Sequence, residues 1–171
     1  MRNALLLYVN TIGRFNERLG KGASYIIWAI CGMLFYEAMS RSIFNAPHAW
    51  TNEISSYVFW AYIFLGGGYV LFHDGHVRMD AIYMRWSPRG RAIADAATFS
   101  VVAFYLVGMI WKTSFYGYLS IIQGEIQATG IHSYVWPVRV IMVFGIILVF
   151  MEALAFFIKD IHLATRGKVL E

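Results

Sequence analysis

The chain has 171 residues, 59% hydrophobic and only 14% charged, with mean hydropathy +0.56 and a formal net charge of +4. Soluble domains carry about 25% charged residues, so this composition belongs to a membrane protein. At about 20 residues per spanning helix the length allows four or five spans, with no room for a soluble catalytic domain. The positive charge flanks apolar runs and does not form a nucleic-acid patch. The one cysteine, Cys31, sits in an apolar stretch and excludes an intrachain disulfide or a cysteine-cluster metal site.

In chain order, the first 22 residues read as an amphipathic helix at the membrane surface. Leu5, Tyr8, Val9, Ile12, Phe15 and Leu19 recur at helical spacing against Asn10, Thr11, Arg14, Glu17, Arg18 and Lys21. A short, interrupted apolar run with no small-residue cleavage pattern argues against a signal peptide here. Four long apolar runs follow, at about 23–43, 53–72, 91–115 and 138–158. Ser87-Pro88 reads as the N-cap and first-turn proline of the third, and Trp136-Pro137 announces the fourth. Between the second and third, Met79, Ile82, Tyr83 and Trp86 share one face of a shorter amphipathic stretch.

Lipid tolerates only helices and closed barrels, and the alternation of a barrel is absent. The predicted fold is therefore an all-α integral membrane protein with four transmembrane helices. Its expected parts are an interfacial helix at 1–22, a membrane domain at 23–159 and a tail at 160–171. Eleven of the fourteen Lys and Arg residues lie in the N-terminal segment, the second–third connection and the C-terminal tail. The connections at 44–52 and 116–137 hold none. The positive-inside rule then places both termini in the cytoplasm, as four spans require.

Several motifs fail. Gly13 and Gly20-Lys21-Gly22 lack the spacing and the following Ser or Thr of a phosphate loop. No metalloprotease helix, nucleophile elbow or Cys/His cluster is present, so an enzyme is not expected. Haem axial ligation needs histidines deep in facing helices, whereas His48, His73, His76, His132 and His162 fall in connections, helix ends or the tail. Gly66, Gly67 and Gly68 read as a close helix–helix seam.

Charge in hydrocarbon is costly and points to function. Glu37 has Arg41 four residues on, and Asp95 has Arg91 four residues before it, both suited to local ion pairs. Glu152 has no cation at three or four residues either way. Glu37 or Glu152 could serve a proton- or cation-coupled small transporter, or hold the bundle and its subunit contacts together. A haem or quinone anchor is a further alternative.

One series of residues is familiar: Trp50 and Glu53, Phe59-Trp60, Phe64-Leu65-Gly66, Gly75-His76-Val77-Arg78-Met79-Asp80, and then Pro88. It resembles the small membrane subunit (DctQ family) of tripartite ATP-independent periplasmic (TRAP) transporters in bacterial or archaeal inner membranes. The resemblance implies a large membrane subunit that binds substrate and sodium, and a periplasmic substrate-binding protein that delivers organic acids. It implies a scaffolding role for this chain, with no cofactor of its own. Under it, Glu53 would cap or orient the outer end of the second span or contact the periplasmic protein, with Trp50 at the interface. His76, Arg78 and Asp80 would fix the cytoplasmic turn, with Asp80 as N-cap and Arg78 towards lipid phosphate.

Overall fold

A computed structural model describes residues 2–73, 88–128 and 131–166. These residues are helical, and among them there are five elements in chain order: α1 (Arg2–Ser24), α2 (Ile26–Ile43), α3 (Ala49–Phe72), α4 (Pro88–Gln123) and α5 (Trp136–Arg166). Among the described residues the only β-pairing is an isolated bridge between Ile126 and Tyr134. Four stretches are long and apolar enough to cross a membrane: Leu5–Ile43, Ala49–Phe72, Ile93–Gln123 and Trp136–His162.

The span boundaries differ from those expected. The first was expected to start near 23, but the break falls at Tyr25, so α1 and α2 form one apolar stretch of 39 residues with a kink. The kink is tight: Tyr25 N–H bonds the Gly22 carbonyl at 3.2 Å, and Trp28 N–H bonds the Tyr25 carbonyl at 3.2 Å. Both bonds close over three residues instead of four, the 3₁₀ pattern typical of helix ends. α3 starts at Ala49, before Glu53, which puts Trp50 in its first turn. α4 begins at Pro88 and is 36 residues long, far beyond the expected 91–115.

Local chemistry ends these helices. Gly124 takes the left-handed conformation (φ 58°) just past α4. Glu125 N–H then bonds the Ser120 carbonyl at 3.1 Å and Gly124 N–H that of Ile121 at 3.4 Å, the paired closure of a Schellman motif. Asn45 (φ 50°) does the same service after α2, in the conformation Asn tolerates better than most residues.

α5 is the hub. α4, α3 and α1 pack on it, while α2 packs on α3 and, more lightly, on α1. The buried centre joins Leu106 of α4 to Ile146 and Ala153 of α5, flanked by Phe64, Leu71, Phe99 and Val149. Phe99 stacks on Phe157 with centroids 4.2 Å apart. Two connections, 44–48 and 124–135, lie at the same end of the helices, and α1 crosses α3 and α5 towards the other.

Candidate functional site

The seam between α1, α3 and α5 is built from glycine. A Cβ at Gly13 would lie 2.5 Å from the Phe72 ring, and one at Gly68 would lie 2.6 Å from Asn16 Oδ1. Gly20 abuts Tyr69 just as closely, and a Cβ at Gly67 would sit 2.9 Å from Val149. At Gly145 an added Cβ would come within 2.5 Å of the Phe64 carbonyl oxygen, so α3 and α5 touch backbone to backbone there. Gly66 has nothing within 4 Å and faces outward, so only two of the three consecutive glycines serve the seam within this chain.

Polar groups are locked into that seam. Asn16 and Glu152 are each 1% exposed, and Asn16 Nδ2 donates to Glu152 Oε2 at 2.7 Å. Two turns earlier on α1, the Tyr8 hydroxyl donates to the carbonyl of Met151, the residue before Glu152, at 3.0 Å. Glu152 has no cation near it in sequence because its partner comes from α1, 136 residues away. Sequence reasoning missed Asn16. The available signal was its place on the stripe Val9, Gly13, Asn16, Gly20 and Ala23, which are all buried.

The protein-facing side of α1 is thus this narrow stripe, not the bulky apolar face. Leu5, Leu7 and Phe15 remain exposed.

A second polar cluster ties the start of α3 to the α4–α5 connection. The buried Glu53 accepts a hydrogen bond from Ser133 N–H at 3.1 Å, so it reaches across to the α4–α5 connection. Tyr57, one turn on, donates to Gln127 at 3.0 Å. Arg139 of α5 donates to the Tyr116 carbonyl and to Glu125, each at 2.8 Å, and joins the ends of α4 and α5. The connection itself is a short hairpin in which Gln127 N–H bonds the Ser133 carbonyl at 2.9 Å.

Glu37 works the same way on the other connection. It bonds Arg41 at 3.2 Å and accepts His48 N–H at 3.2 and 3.3 Å, which fixes the residue that opens α3. His48 also lies 3.2 Å from the Ser40 hydroxyl, and its ring forms a three-ring cluster with those of Tyr36 and Trp50. Trp60 is half-exposed and stacks on Phe64. Asp95 is in the second turn of α4, while the side chain of Arg91 lies outside the described residues. His76, Arg78, Asp80 and the amphipathic stretch around Trp86 also lie outside them. Among the described residues, no three His, Cys, Asp or Glu side chains come together as a metal site.

Residues 30–163, from within α2 to near the end of α5, match the family model for the DctQ component of tripartite ATP-independent periplasmic transporters. The chain belongs to the DctQ family. It is thus a small membrane component of a TRAP transporter, and its four membrane-capable helices make it a multi-pass membrane protein. No curated protein and no solved structure matches it. The DctQ match includes Glu37, Glu53 and Glu152 but starts after α1, so Asn16, which holds Glu152, lies outside the matched segment.

Proposed function

We propose that this DctQ-family chain braces the static part of the large membrane subunit in a sodium-coupled uptake system. The large subunit binds sodium and moves the substrate. A periplasmic protein captures that substrate, of organic-acid type, and docks on the membrane pair. Both termini face the cytoplasm, α1 lies along the inner surface of a bacterial or archaeal inner membrane, and the end carrying Glu53 and Arg139 faces the periplasm.

One observation carries the brace. Each of the buried acids Glu37, Glu53 and Glu152 is hydrogen-bonded to a different segment of the same chain. Buried charge held in this way fixes the relative positions of the helices, because breaking such a bond strands an ion in a medium that cannot solvate it. A rigid frame is what a partner that moves against it requires, and the same bonds leave these acids engaged and unsuited to carrying cargo.

Affinity purification of the tagged chain from native membranes in mild detergent tests this reading, with partners identified by mass spectrometry. A large multi-spanning permease is expected in the eluate, and sodium-driven uptake on reconstitution of the pair with the periplasmic protein. Recovery of the chain alone, with transport of its own, would replace the brace with a small stand-alone transporter using Glu37 or Glu152. Recovery with redox subunits and a haem band would replace it with an electron-transfer anchor.

A further inference from the structure

At the kink between α1 and α2 the surface opens into a groove of about 480 Å³, within the range of about 300–1,000 Å³ typical of small-ligand sites. Its apolar lining comes from Phe15, Leu19 and Ile26 on the kinked pair and from Leu65 on α3. Gly22 borders it, and the position of a Cβ on Gly22 has no atom within 4 Å. Arg18 is its only charged lining residue.

We propose that this groove is a binding site for one anionic phospholipid, with an acyl chain against Leu19, Ile26 and Leu65 and the phosphate on Arg18. The proposal rests on the reading that α1 lies along the membrane surface. Three observations favour this occupant over a protein segment. Arg18 stands where the polar side of α1 meets its apolar side, so the groove changes from apolar to cationic at the level where a headgroup joins its chains. Arg18 and its neighbour one turn earlier, Arg14, have no ion-pair partner among the described residues, whereas Lys21 is paired with Glu17 at 2.6 Å. A single unpaired guanidinium above an apolar slot complements one phosphodiester with a hydrocarbon tail. An extended peptide would leave backbone groups unsatisfied in that lining.

Native mass spectrometry of the full chain, released from detergent after incubation with phosphatidylglycerol, tests the site. The native chain is expected to hold one phosphatidylglycerol through washing steps that strip other lipid. Gly22→Leu starts from a Cβ position with no atom within 4 Å and places its side chain in the groove, so it should fold normally and lose the adduct. Arg18→Gln should weaken it about fivefold, the worth of one basic residue at an anionic surface, and Arg18→Lys should recover much of that. An adduct that survives Gly22→Leu, or an Arg18→Gln chain that binds as well as native, overturns the proposal. Displacement of the lipid by inorganic phosphate overturns it too, since the site would then read the anion alone. The lipid is counted on this chain by itself, so failure here leaves the recovery of a large subunit unaffected, and the reverse also holds.

Discussion

Replacing Asn16 with leucine keeps the branched shape of the side chain while removing the only hydrogen-bond donor that the described residues give Glu152. Both residues are 1% exposed, so no water replaces the lost bond. Stranding a buried neutral partner costs about 1–3 kcal/mol, and stranding a buried ion about 3–5 kcal/mol. Asn16→Leu is therefore expected to destabilise the chain by about 2–4 kcal/mol. At about 2–4 °C per kcal/mol for a chain of this size, the melting temperature in nanodiscs should fall by about 5–15 °C. Glu152→Leu alone strands the Asn16 amide and should cost about 1–3 kcal/mol. Combining the two leaves two apolar groups in contact, and the double variant should return to within about 1 kcal/mol of native. Thermal unfolding of the four proteins, followed by intrinsic fluorescence, completes the cycle. Additive losses in the double variant would show that the two residues act independently. An unchanged Asn16→Leu would show that α1 is not held by this bond.

Three further outcomes follow from other contacts. Gly145→Ala drives a Cβ into the Phe64 carbonyl, which cannot move without shifting α3, and should cost about 1–3 kcal/mol. Gly66→Ala fills open space and should leave the isolated chain unchanged or gain up to about 1 kcal/mol from helix propensity; equal melting temperatures for the two would refute the seam. Glu53→Ala removes the acceptor of Ser133 N–H and should loosen the 124–135 connection, seen as faster proteolysis there, whereas Glu53→Gln keeps an acceptor oxygen and should stay close to native. Fusion reporters at each terminus should both report the cytoplasm, and a periplasmic signal at either would invert or break the proposed topology.

Helix number and type were legible because hydropathy is a property of long segments, and the runs near 53–72 and 138–158 reappear inside α3 and α5. Local pairs were legible too, since Glu37 and Arg41 are one turn apart and form their bond without help from the rest of the fold. What the sequence concealed were bonds between distant segments. Ser133 meets Glu53 across 80 positions, through a backbone N–H that any residue would supply. The ends of helices were hidden for a related reason. α4 continues past 115 to Gln123, and Arg139 of α5 bonds the Tyr116 carbonyl and Glu125 across 23 and 14 positions, a tertiary tie that no local propensity announces. The packing role of the α1 glycines was hidden as well. Judged against a phosphate loop, Gly13 and Gly20 carried no function, yet their bare surfaces let Phe72 and Tyr69 approach.

The placement of α1 bears on what the membrane domain needs to be complete. The DctQ match begins at residue 30, so sequence similarity alone would draw the domain without α1. The packing contradicts that boundary. Glu152 lies well inside the matched segment, and the side-chain donor that satisfies it comes from residue 16. Without α1, Glu152 would face the membrane with no such donor, and Gly68, whose missing side chain makes room for Asn16, would line a gap. The N-terminal helix is therefore part of the folded core of this subunit. Any motion that lifts α1 from α3 and α5 must first break the Asn16–Glu152 bond.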